Sequence, residues 1–99
     1  MKHCCDDMNR FVNDKRMPIE YMSTFREYHL PLLSSNAQQS IDYCPWCGVN
    51  LPNSLRDLWF EMLEDKIGEQ IYDIAFDNTR FNEIPEKFQN DTWWIELNL

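Results

Sequence analysis

The run Tyr43-Cys44-Pro45-Trp46-Cys47-Gly48 constrains this chain more than any other stretch. Two thiols three residues apart can face one point from a single tight turn. Gly48 permits the positive φ that lets the backbone curl back, leaving amide hydrogens free to point at sulfur. CxxC pairs are the common half-site of tetrahedral, thiolate-rich zinc centres. Only two other cysteines exist, Cys4 and Cys5. The expected set is therefore Cys4, Cys5, Cys44 and Cys47 around one Zn2+ ion, tying the amino terminus to the middle of the chain. Neighbouring side chains of an extended strand point to opposite faces, so Cys4 and Cys5 share an ion only if the backbone turns sharply between them. His3 with Cys5 is the alternative half, because residues two apart share a strand face. Iron is the alternative metal: a CPxCG turn also suits rubredoxin-like sites, and soft thiolates do not separate the two.

The 99 residues are read as one zinc-stabilised domain, 1–99. Hydrophobic residues make up 43% and four tryptophans are present, so a core is feasible. So short a chain still buries proportionally little surface, and a metal staple helps it. The formal net charge is −8 and unevenly spread. Residues 51–99 carry eleven acidic and four basic side chains, against six and five in residues 1–50. Four thiolates on one zinc add to the surplus of negative charge. Such a surface repels phosphate backbones, which argues against direct nucleic-acid binding. It suits a basic protein partner; the plainer reading is a solvated acidic face that aids solubility. The first residues, with His3, Cys4, Cys5, Asp6 and Asp7, are no secretory signal, and no run reaches transmembrane length. The expected location is cytoplasmic and reducing, where paired cysteines bind metal or do redox work.

Local patterns predict a mixed α+β chain. Met8, Phe11 and Val12 have helical spacing, and Lys15-Arg16-Met17-Pro18 reads as a break, because Pro18 disfavours helix at Met17. Two short strands are expected at about 19–25 and 27–33, with Pro31 placing the second at a sheet edge or ending it early. A polar turn at 34–39 and a strand at 40–43 would deliver Cys44. The clearest helix runs from Ser54, a good N-cap with Asp57 three positions on, to Ile67, with Gly68 as its C-cap. Leu55, Leu58, Trp59, Met62 and Leu63 form its apolar face, expected to pack across the sheet. A second short helix fits 71–76 and a turn fits 77–82. Pro85 opens a single helical turn. Asp91 caps a last turn carrying Trp93 and Trp94, or a terminal strand ends the chain there instead.

Other chemistries are less well supported. Thiol–disulfide exchange through Cys44 and Cys47 is the competing function, but the next helix along the chain begins several residues too late to activate a thiol. His29 reads as a core-edge or surface histidine rather than a general base. Glu61, Glu64 and Asp65 sit on a polar helix face. Trp59 reads as core, and Trp46 as a shield over the metal turn. Trp93 and Trp94 are expected to help complete the core; the alternative is that they lie on a strand, where one faces outward and can anchor a partner.

His3-Cys4-Cys5, the 43–48 turn, the run Leu51-Pro52-Asn53-Ser54-Leu55-Arg56-Asp57-Leu58-Trp59-Phe60, Ile84-Pro85-Glu86-Lys87-Phe88 and Asp91-Thr92-Trp93-Trp94 together resemble a family of small, uncharacterised bacterial proteins of zinc-ribbon type. The resemblance covers the ends and the second half; 8–39 matches loosely and 69–82 reads as an insertion. It implies a shared architecture and no particular activity. The expectation is thus an α+β, zinc-ribbon-like domain whose short antiparallel sheet is packed by one main helix. Its expected function is that of an acidic zinc-binding protein-interaction module, not an enzyme, that inhibits or neutralises a basic partner. A thiol–disulfide oxidoreductase is second and a nucleic-acid-binding zinc ribbon third.

Overall fold

The computed structural model describes residues 3–77 and 79–99. The chain is α+β and divides into two compact units. One comprises Met1–Met22 and Arg26–Asn53, the other Ser23–Phe25 and Ser54–Leu99. Among the described residues no helix is long and apolar enough to cross a membrane.

The first unit opens with helix α1, Asp6–Phe11. Cys5 is its N-cap and accepts a hydrogen bond from the Met8 amide, while Asp6 and Asp7 in the first turn complement the helix dipole. A three-stranded antiparallel sheet comes next, ordered β1 (Glu20–Met22), β2 (Glu27–Pro31) and β3 (Gln38–Ser40). Tyr21 pairs with Tyr28, and Leu30 with Gln39. Both early strands are shorter than their β-forming composition predicts, because residues 23–26 make the hairpin loop and Arg26 adopts a φ of 55°. β2 is the central strand, so the edge placement offered for Pro31 is corrected. Pro31 is the last residue of β2, where its missing amide hydrogen costs least. β3 lies upstream of its expected position at 40–43. Its fully exposed Gln-Gln-Ser has no hydrophobic alternation to reveal it, and pairing with β2 alone makes it a strand. The core of this unit is Met8, Ile19, Tyr28, Cys44 and Leu51.

The second unit is helical. It holds α2 (Arg56–Ile67), α3 (Gln70–Ala75), 3₁₀ turns at Phe81–Glu83 and Glu86–Gln89, and α4 (Thr92–Glu96). Ser54 still serves the start of α2: its Oγ accepts from the Arg56 amide at 3.2 Å, although Leu55 is the N-cap. Gly68 ends the helix with a φ of 79°. Asn78, within the turn expected at 77–82, lies outside the described residues.

The apolar face of α2 does not find the partners expected of it. Trp59 and Leu63 pack with Ile71, Ile74, Ile84, Phe88, Trp93 and Trp94, and the sheet core is built from other residues. The terminal segment is a helix, not a strand, so both adjacent tryptophans turn inward: Trp93 is 1% exposed and Trp94 5%. The carboxy-terminal aromatics thus complete a core, as expected, and the alternative of an outward tryptophan anchor is corrected. Their indole N–H groups donate to the carbonyls of Thr24 and Ser23, both at 2.8 Å. Trp59 Nε1 likewise donates to the Phe88 carbonyl at 2.9 Å. Each ring buries its area without leaving a polar atom unpaired. Trp59→Phe keeps an aromatic ring but orphans the buried Phe88 carbonyl, so chemical denaturation should show a loss of about 1–3 kcal/mol.

Candidate metal centre

Four sulfur atoms converge in the first unit. The Sγ atoms of Cys4, Cys5, Cys44 and Cys47 all lie within 4.8 Å of one another. Cys5 faces Cys44 and Cys4 faces Cys47, each pair at 3.7 Å. All four are free thiols. A zinc ion bound at about 2.3 Å from each sulfur sets the edges of its tetrahedron at about 3.8 Å. The two close pairs match that edge, and the donor set fits a single soft cation.

Local structure explains how each half is made. The CPWCG turn closes as a small loop in which Tyr43 bridges Asn50. The Cys44 amide donates to the Val49 carbonyl and the Gly48 amide to the Cys44 carbonyl, both at 2.9 Å. Gly48 takes a φ of 75°, the positive angle its position predicts. The Cys47 amide then points back at Cys44 Sγ, 3.5 Å away. At the other half, a bend at Cys4 and Cys5 precedes α1, and Cys5 turns inward as the helix cap. The required sharp turn between adjacent cysteines is therefore the entry into a helix. Trp46 stacks on Phe11 with ring centroids 4.8 Å apart, packing the loop against α1.

Four clustered thiols cannot all ionise without a counter-charge. Burial pushes the Cys44 thiol up, but amide hydrogens from Cys47 and Trp46 outweigh it and bring its pKa down to about 7. Cys4 moves the other way: burial, then hydrogen bonds with Cys44 and Cys47, push it up to about 12. For Cys5 the Met8 amide favours the thiolate, yet burial and the neighbouring thiols together raise its pKa. Cys44 is thus the first of these thiols to ionise, ahead of Cys4 and Cys5. A divalent cation at this point would supply the missing compensation.

His3 does not join the sulfur group. Its Nδ1 shares a 2.5 Å hydrogen bond with the Tyr28 hydroxyl, and its ring packs edge-on against Tyr21 and Tyr28. Burial lowers its pKa. Tyr28 is the participant that sequence reasoning missed. On β2 it looks like an ordinary β-former, and only its packing with Cys44 in the core marks it as a support of the site. His29, its neighbour, is buried with Nε2 3.0 Å from Glu27 Oε1.

A family model described as "Domain of unknown function (DUF6980)" matches residues 2–96, and the chain belongs to that family. No curated protein matches the chain, and no solved structure does.

A Cβ added at Gly48 meets nothing within 4 Å, so Gly48→Ala tests the backbone angle alone. It should cost about 1–2 kcal/mol, measured by thermal or denaturant unfolding, from the local backbone clash alone and with no contact against other residues.

Proposed function

We propose that this member of the family is a small zinc-binding protein-interaction module of zinc-ribbon type, and not an enzyme. The observation that carries the reading is the convergence of four cysteine sulfurs with two contacts at the tetrahedral edge length. Cys4, Cys5, Cys44 and Cys47 would hold the ion, which would supply positive charge and a cross-link between the start and the middle of the chain. Four protein ligands close the coordination shell, as in structural rather than catalytic zinc sites. Iron would be held by the same donors. Four unpaired thiols suit a reducing compartment such as the cytoplasm. The charge of −8 favours a basic protein partner, which the module would neutralise, and disfavours nucleic acid.

Thiol–disulfide exchange is the second reading, favoured by the lowered pKa of Cys44. Against it, Cys44 is 3% exposed, and the chain carries no helix between Cys47 and Arg56, so none starts directly after the CxxC pair. Elemental analysis of the purified protein separates the two. One equivalent of zinc, with thiols unreactive until a chelator is added, supports the module. Metal-free protein with one fast-reacting thiol supports the oxidoreductase.

Removing the metal should unfold the first unit, read as loss of near-ultraviolet signal on chelation and recovery with zinc. Affinity should also depend on pH with a definite sign. Cys4 and Cys5 have raised pKa values, so zinc must displace their protons at neutral pH. Competition titrations should show affinity falling at least about a hundredfold per unit as pH drops from about 8 to 6.

A further inference from the structure

The second unit carries an aromatic face that the tryptophan core does not use. Phe60 on α2 stacks on Tyr72 of α3, with ring centroids 5.4 Å apart and planes 2° from parallel. Phe76, just past α3, stacks on the same Phe60 at 6.5 Å and 25°. Tyr72 is 44% exposed and Phe76 81%. Leaving rings of this size in water forgoes the stabilisation of burial, so their coverage by something else would be favourable. The surroundings state what kind of thing. The Tyr72 hydroxyl donates to Glu64 Oε2 at 2.8 Å. That hydrogen bond, burial and the charges of Glu64, Glu69 and Glu61 raise the pKa of Tyr72. Glu61 lies one turn before Glu64 on α2, and Glu69 lies one turn before Tyr72, whose amide donates to the Glu69 carbonyl. Among the described residues none of the three carboxylates forms an ion pair with a lysine or arginine.

We infer that the stacked face of Phe60, Tyr72 and Phe76, rimmed by Glu61, Glu64 and Glu69, is the docking surface for an arginine-bearing basic segment of a partner protein. This rests on the interaction-module reading and assigns its surface. A guanidinium is planar and weakly hydrated. It can lie flat on the outermost ring while its N–H groups reach the carboxylates. An ammonium offers charge without the plane, so arginine is preferred over lysine at equal charge. An uncharged apolar segment would leave the carboxylate rim uncompensated.

The test is fluorescence anisotropy with the zinc-loaded full chain and labelled oligoarginine and oligolysine peptides of equal length. Oligoarginine should bind about fivefold tighter than oligolysine, and Phe76→Ala should remove most of that preference. Glu69→Gln should weaken both peptides. Leu33→Ala, an exposed apolar position in the first unit, should change neither. Circular dichroism confirms that each variant is folded. Equal binding of the two peptides with Phe76→Ala silent would overturn the surface while leaving the interaction module standing. Absence of binding by either peptide would overturn both. A dimer by light scattering that Phe76→Ala dissociates would also overturn the proposal, since a second copy would then own the face.

Discussion

Four like-charging groups held within 4.8 Å are a constraint before they are a site. Thiols in that arrangement repel as they ionise, and burial of Cys44 sharpens the conflict. Protons on Cys4 and Cys5 relieve it in one way, and a soft cation relieves it in another. The first unit is arranged around this choice. α1 begins where Cys5 turns inward, the 43–50 loop closes where Cys44 and Cys47 meet it, and the small core is completed by Met8, Ile19, Tyr28 and Leu51. Those few apolar side chains are a modest core for the residues they organise, which is the circumstance in which a cross-link between distant segments contributes most.

The second unit solves the same size problem by different means. Its centre is aromatic: Trp59, Phe88, Trp93 and Trp94 bury large areas, and the three indole N–H groups end on backbone carbonyls. Two of those carbonyls belong to Ser23 and Thr24, far away in sequence from the tryptophans they receive. The same unit leaves Tyr72 and Phe76 outside, beside carboxylates with no basic partner among the described residues. Aromatic surface is therefore divided between a satisfied interior and an acid-rimmed exterior.

The cysteine turn, α1, α2 and the end of α2 at Gly68 are legible in the sequence because each depends on residues within one or two turns of one another. The CxxC spacing, a positive φ at glycine and apolar positions at helical intervals are local requirements. The short strands read too long, since β-forming composition continues into a loop whose geometry is set at Arg26. β3 escapes its true position because Gln38, Gln39 and Ser40 carry no pattern, and their strand identity resides in hydrogen bonds to β2. Tyr28 goes unnoticed for a related reason: nothing near it in sequence hints at His3 or Cys44.

The amino-acid order by itself determined the candidate ligands, the acidic balance and the helices with strong local signals, since spacing, charge and backbone freedom are properties of neighbours. Tertiary structure alone decided that the vicinal cysteines both reach the CPWCG turn, that the face of α2 packs on the carboxy-terminal aromatics, and that Trp93 and Trp94 both point inward. Each of those outcomes turns on which distant carbonyl, ring or sulfur is within reach. Local preferences leave several such pairings open, and the one that satisfies the most buried polar atoms prevails.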